Sequence, residues 1–342
     1  MTEPKGRGAA WTEERGTSHE GPPPPAARPA RRRLKAARRR EESRVPDFEF
    51  TSYYGRPVIK EPAWGVPDVP GYLFLGGLAG ASSVLAAGAE MSGYGELARV
   101  AKVGALGAIS LSAVALVHDL GRPERFANML RVFKPSSPMS VGSWLLTAYG
   151  PLAGAAAVSD MTGILPAAGA LATAGAGLLG PGVATYTAAL LCDTAVPGWH
   201  EGHREMPYLF AGSASCAAAG LGLLTVSPAA AGPARTLATV GAPAELVAKR
   251  LLLRRLGEIA EPYETGRPGR LLRAAELLTV GGLAGAVLGR RNRAVSALAG
   301  ASLLAASALT RFGVFEAGLV TARDPKYTIV PQRRRLDRRG MN

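Results

Sequence analysis

Apolar residues along this chain gather into long runs separated by short polar stretches rich in Gly and Pro, and the runs are far longer than a buried strand needs. A helix rising about 1.5 Å per residue requires about twenty apolar residues to cross a hydrocarbon core of ~30 Å. Eight runs approach or exceed that length, over residues 71–89, 97–117, 141–158, 167–196, 207–226, 233–253, 271–288 and 294–320. The pattern predicts an all-α integral membrane protein of eight transmembrane helices. The sixth run is the most polar, because Glu245, Lys249 and Arg250 enter its final turns. The fourth contains Gly180-Pro181-Gly182, where proline removes a backbone donor and a kink is expected. Small residues crowd the runs, as in Gly76-Gly-Leu-Ala-Gly80 and Gly281-Gly-Leu-Ala-Gly285. In lipid little hydrophobic force draws helices together, so close backbone approach across small side chains is what packs them.

An internal echo suggests two halves. Tyr72-Leu-Phe-Leu-Gly-Gly-Leu-Ala-Gly-Ala opens the first run and Tyr208-Leu-Phe-Ala-Gly-Ser-Ala-Ser-Cys-Ala the fifth, each just after a proline. An even number of spans between them predicts a parallel repeat of two four-helix bundles. Residues 1–50 offer no apolar periodicity, carry Pro22 to Pro25 and the basic run from Arg31 to Arg40, and read as a disordered cytoplasmic tail. The paired arginines invite an export-signal reading, but no apolar stretch follows them until residue 71. Residues 51–70, with Tyr53, Tyr54 and Trp64 among four prolines, predict an extended lead-in whose aromatics lie at headgroup level, and residues 321–342 form a second basic tail. Eight spans put both termini on one side with the loops around Arg122 to Lys134 and Lys249 to Arg270. The positive-inside rule makes that side cytoplasmic, although Arg290-Arg-Asn-Arg293 then falls on the other.

Composition changes this picture little. The mean hydropathy of +0.10 averages an apolar middle with two Arg-rich ends. The net charge of +14 lies largely in those ends, which suits orientation and contact with anionic membrane lipid, and argues against nucleic acid. Cys192 and Cys216 both lie in apolar runs without further thiols, so an iron–sulfur cluster lacks its ligands. Haem b needs paired axial histidines inside the bundle, whereas His19 is in the tail, His200 and His203 are in a loop, and His118 stands at a run's end. Trp199-His-Glu-Gly-His-Arg-Glu205 is not the H-E-x-x-H of a zinc protease, and no metal site is expected there.

Four strings carry a family resemblance: Asp119-Leu-Gly-Arg-Pro-Glu-Arg-Phe126, Ser137-Pro-Met-Ser-Val-Gly-Ser-Trp144, the stretch from Tyr186 through Asp193 and Trp199 to Glu201, and Arg311-Phe-Gly-Val-Phe-Glu-Ala-Gly318 followed by Asp324-Pro-Lys. In this order they resemble the NrfD family, membrane subunits related to that of polysulfide reductase, over roughly residues 50–335. The resemblance implies a quinone-linked membrane anchor that works with a ferredoxin-like iron–sulfur subunit and a molybdopterin oxidoreductase catalytic subunit, formate dehydrogenase-like among the choices. Quinone or menaquinone would be its exchangeable substrate, with no cofactor bound by the chain itself. If the subunit moves electrons, a cluster in the partner must supply or take them.

A quinone head needs hydrogen-bond donors for two carbonyls, a proton donor or acceptor and an apolar slot. His118 can bond a carbonyl and exchange a proton near neutral pH, and Asp119 can orient it. Arg122 is a further quinone-site candidate; the plain alternative is that Gly121-Arg122-Pro123 ends the second helix, with Asp119 and Arg122 paired at the interface. Tyr186 and Asp193, seven residues apart, share a helix face, and an ionisable group at membrane depth is a functional candidate. Trp199 and His200 complete the quinone-site candidates as a pocket rim or docking surface. Asp193, Glu276, Arg311 and Glu316 are candidates for a proton path or for structural ion pairs. A proton or small-solute transporter and a passive anchor without a quinone site are the competing functional readings.

Overall fold

The computed structural model describes residues 58–120 and 130–340, apart from residue 63 and the side chains of residues 120 and 337–340. The expected N-terminal tail and Arg122 lie outside the described residues, as does most of the polar turn around Arg122. The described residues form helices and turns, without a strand. Eight long helices follow in order: α1 Asp68–Met91, α2 Gly95–Leu120, α3 Pro138–Thr162, α4 Pro166–Cys192, α5 Met206–Thr225, α6 Gly232–Leu256, α7 Gly266–Leu288 and α8 Arg293–Arg323. Residues 326–340, expected as a tail, form a ninth helix, α9 Lys326–Gly340. Single turns at Pro197–His200 and Gly257–Glu264 bridge α4 to α5 and α6 to α7.

Local chemistry sets several boundaries. Ser137 accepts a hydrogen bond from the Ser140 amide with Pro138 at the first helical position, so α3 starts there. Asn292, inside the basic loop, accepts from the amides of Ala294 and Val295 and opens α8. α4 runs unbroken through Pro181 and stops at Cys192, four residues before the expected end of its span.

Seven helices, α1 to α5, α7 and α8, are long and apolar enough to cross a membrane. The eighth expected span corresponds to α6, which is long enough but less apolar than the other seven. Arg235, Glu245, Lys249, Arg250, Arg254 and Arg255 all lie within it. Its two ends are tied to opposite ends of the helical array. Arg235 donates to the carbonyls of Pro228 and Arg290 at one end, and Arg255 pairs with Glu205 at 2.5 Å at the other.

Helix contacts form two rings. α1 lies against α2 and α4, and α3 against α2 and α4; in the second half α5 lies against α6 and α8, and α7 against α6 and α8. Between the halves α1 meets α5 and α8, while α4 meets α5. Several of these contacts are backbone on backbone. An added Cβ on Gly80 would stand 2.3 Å from the Gly180 carbonyl oxygen, and one on Gly220 would stand 2.6 Å from that of Gly300. The Gly-Pro-Gly of α4 therefore serves close packing against α1.

The end opposite the functional loops is tied by charge. Lys102, almost fully buried, lies 2.8 Å from Glu90 and 3.3 Å from Asp160, and Asp160 also accepts from Arg99 at 2.8 Å. These pairs join α1, α2 and α3 where their backbone ends meet.

At the functional end α9 is held by acids from two loops. Lys326 donates to Glu261, Arg334 pairs with Glu258 at 2.6 Å, and Arg335 donates to Glu201. The Lys326 hydrogen bond holds the Glu261 carboxyl below the ordinary glutamate range, and the same bond holds the Lys326 ammonium above the ordinary lysine range. The Glu261 contribution is present above its unfolded value and is lost as pH falls through its lowered folded value. The Lys326 contribution is present below its unfolded value and is lost as pH rises through its raised folded value. α9 is thus expected to stay docked through neutral pH and to loosen in acid and in strong alkali. Because both groups face solvent the effect is small. Limited proteolysis across α9 at stepped pH measures it, and cleavage independent of pH would refute it.

Candidate functional site

The functional end gathers the start of α1, the ends of α2 and α4, the start of α3 and the connection between α4 and α5. Among these elements lies a narrow cavity of about 90 Å³. Trp64, Tyr72 and Tyr186 give it aromatic walls, Leu116, Leu146 and Leu190 an apolar floor, and Asp119 stands at its edge. Tyr72 and Tyr186 meet edge to face, with centroids 6.4 Å apart. The Gly65 amide donates to Asp119 Oδ1 at 3.1 Å, which ties the lead-in to the end of α2.

One feature of the cavity is chemically unfinished. The Tyr186 hydroxyl is buried and has no hydrogen-bond partner in the protein. A buried hydroxyl left unpaired costs about 1–3 kcal/mol, so its presence beside a cavity points to a ligand or water that completes it. The ring is held in place by close packing: a Cβ on Gly142 would lie 2.5 Å from Tyr186 Cε2. The cavity is smaller than the few hundred Å³ that enclose a drug-sized ligand, so it has room for no more than a small group.

Behind Trp64 stands Trp199, fully buried in the one-turn helix after α4. Trp64 stacks on it at 5.7 Å between centroids, and Phe315 of α8 lies 5.3 Å from it. Trp199 Nε1 donates to the Val314 carbonyl at 3.0 Å. The same turn is pinned by Thr321, whose hydroxyl accepts from the Gly198 amide at 3.0 Å, and by Tyr263, whose hydroxyl donates to the Gly198 carbonyl at 2.8 Å. Burial pushes the Tyr263 hydroxyl far above the ordinary tyrosine range, which keeps it a donor at any physiological pH. Trp199 is thus the wall behind the wall rather than a lining residue.

The remaining candidates disperse. His118 is 76 % exposed and pairs with Asp68 at 2.8 Å, away from the cavity lining. Asp193 is exposed at the C-cap of α4. The helix ends one residue earlier, so Asp193 stands at the exposed end of α4 rather than within its last turns. His200 is exposed, with Nδ1 3.1 Å from the Cys192 carbonyl, and His203 Nδ1 lies 3.1 Å from the His200 carbonyl. Glu276 pairs with Lys249 at 2.9 Å, and Glu316 pairs with Arg267 at 3.3 Å at an open cleft of about 450 Å³. Arg311 is fully buried, donates to the Phe210 carbonyl at 2.8 Å and lies over the Phe210 ring at 3.6 Å. That larger cleft, and one of about 410 Å³ beside α9, are grooves between helix ends lined by ion pairs. Among the described residues no group of three or more His, Cys, Asp and Glu could hold a metal ion.

Sequence reasoning thus reached Asp119 and Tyr186 as cavity residues and missed Trp64 and Tyr72. Trp64 reads from sequence as a headgroup aromatic and Tyr72 as the marker of a repeat. Its position one helical turn into α1, opposite Tyr186, is a fact of topology.

An array of helices long and apolar enough to cross a membrane, with an aromatic cavity near its end, marks a multi-pass membrane protein. The family model described as polysulphide reductase, NrfD, matches residues 58–236, and the chain belongs to the NrfD family. Members are typically membrane subunits of oxidoreductase complexes. Comparison with curated protein sequences gives no match.

Proposed function

We propose that this chain is the membrane anchor of a respiratory oxidoreductase complex and that it exchanges electrons between a partner iron–sulfur subunit and membrane quinone at the Trp64–Tyr72–Tyr186 cavity. The observation that carries this reading is the unpaired, buried Tyr186 hydroxyl on the wall of an apolar aromatic slot. In that slot Tyr186 donates to one quinone carbonyl, and Asp119 at the edge passes protons between the ring and water. Reduction of the ring consumes two electrons from the partner's cluster and two protons; oxidation of the quinol returns them. A molybdopterin subunit, formate dehydrogenase-like or another, stands beyond the iron–sulfur subunit.

In this reading α6 is the eighth crossing. Its ends reach both faces of the array, and Glu245, its deepest charged group, is buried against neighbouring helices instead of facing lipid. The two rings of helix contacts are then two four-helix bundles related as parallel repeats, and both termini lie on the cytoplasmic side.

The test is binding of a quinone analogue to the purified chain, followed by quenching of its tryptophan fluorescence. Tyr186→Phe is expected to weaken binding about tenfold, the worth of one buried hydrogen bond. Gly142→Ala, which displaces the Tyr186 ring, should weaken it at least as much. Wild-type affinity in both variants would reject the residue assignment, and a chain that binds no analogue would be a passive anchor.

A further inference from the structure

Away from the aromatic cavity, the second half holds a buried carboxylate that the quinone site does not use. Glu245 sits in the middle of α6 and is almost fully enclosed, with 3 % of its surface exposed. Every neighbouring helix of its half faces it with a polar or charged group. Thr310 of α8 donates to Oε1 at 2.8 Å and Thr279 of α7 to Oε2 at 3.5 Å. Ser213 and Cys216 of α5 face it as well, and Arg311 of α8 is near enough to interact with it electrostatically. Arg311 is itself fully enclosed, and its Nε and Nη1 have no hydrogen-bond partner in the protein. A carboxylate and a guanidinium placed this deep are costly unless each is paired, hydrogen-bonded or able to change charge.

The carboxylate also has a route to the surface. A void of about 10 Å³, the room for about one water molecule, lies among Glu245, Lys249, Glu276, Thr279 and Thr310. On its outer side Lys249 pairs with Glu276 at 2.9 Å and donates to the Leu272 carbonyl at 2.8 Å. Glu276 is 38 % exposed, whereas Lys249 is 13 % exposed. Exchangeable groups therefore run in sequence from the α6–α7 flank to the centre of the half: Glu276, Lys249, one water's width, Glu245, Arg311. Arg311 lies about one turn before Phe315, whose ring touches Trp64 and Trp199.

We propose that Glu245 is an internal proton-exchange site, loaded from the α6–α7 flank through the Lys249–Glu276 pair, with Arg311 as its counter-charge. A proton taken up by Glu276 at the α6–α7 flank crosses the one-water gap to a Glu245 oxygen and leaves by the same groups; no electron moves and no bond between heavy atoms changes. Lys249 sets the entrance, because its bonds to Glu276 and Leu272 hold the outer carboxylate against the gap. Protonation of Glu245 changes the charge beside Arg311, one turn from the aromatic wall. The site exists whether or not the aromatic cavity takes quinone.

Infrared spectroscopy of the full chain in lipid nanodiscs tests this across a pH series. The expected result is a carboxylic acid C=O band that grows as pH falls and is missing from Glu245→Gln. Thr310→Val, which removes one donor, should keep that band and move it to higher frequency. In Glu276→Gln and Lys249→Met the band should remain, but its shift on transfer to D2O should slow roughly a hundredfold, the low end of what a positioned proton donor contributes. A band retained in Glu245→Gln, unmoved in Thr310→Val, or exchanging at the wild-type rate in Glu276→Gln would each overturn the proposal. If Glu245→Gln does not fold, the Thr310 and Glu276 variants decide. A chain that shows the band but binds no quinone analogue would retain this site and lose the quinone reading.

Discussion

Trp199→Ala is expected to lower the unfolding free energy of the chain by about 3–5 kcal/mol, the cost of emptying a large, fully packed aromatic site. Trp199 has no accessible surface, stacks between Trp64 and Phe315, and spends its indole N–H on the Val314 carbonyl. The space is matched by Gly318 of α8, where a Cβ would fall 1.9 Å from Trp199 Nε1. Removing the indole leaves a void and takes one of two donors from the Val314 carbonyl, and it strips the support from Trp64, which walls the aromatic cavity. Trp199→Phe should restore most of the apolar contact and remain about 1 kcal/mol short for the missing hydrogen bond. Thermal unfolding in detergent, followed by far-ultraviolet circular dichroism, ranks the three proteins. An unchanged midpoint in Trp199→Ala would show that the pinned turn carries no structural weight.

Gly80→Ala is the second large effect, expected at about 1–3 kcal/mol destabilising. The obstacle is the Gly180 backbone carbonyl, 2.3 Å from the new methyl, and a backbone cannot rotate aside as a side chain can. Relief requires α1 and α4 to move apart. Gly88, two turns further along α1, is a control, because nothing lies within 4 Å of a Cβ there. Gly88→Ala should be neutral or stabilising by about 0.5–1 kcal/mol through backbone entropy. Similar melting of the two variants would mean that helix propensity, not helix approach, governs this interface.

The contrast between these glycines shows what the sequence conceals. Apolar run length is local, so the long helices were legible from the chain alone. Which glycine bears a neighbouring backbone depends on the facing helix, and Gly80 and Gly88 look alike in sequence. The same reason separates the charged residues. Glu245 appeared as a flaw in an apolar run, yet it is enclosed by partners from other helices. Asp193 was read as lying in the last turns of its helix, but α4 ends at Cys192 and leaves it at the exposed cap. His118 was chosen for its titration range, and its partner proved to be Asp68, at the start of a different helix. Asp119 was chosen as a partner for His118 and Tyr186 for sharing a helix face with Asp193, and both line the cavity without those partners.

The lead-in before α1 sets a limit for handling this protein. Trp64 and the amide of Gly65 lie ahead of every long helix, yet one forms a wall of the aromatic cavity and the other anchors Asp119. Glu61, earlier still, is the partner of Arg323 at the end of α8. A shortened version that begins at Asp68 would keep all eight long helices and lose one side of the cavity. Expression designs, fusion tags and cleavage sites therefore belong ahead of Glu61, and the smallest piece that folds is not the smallest piece that works.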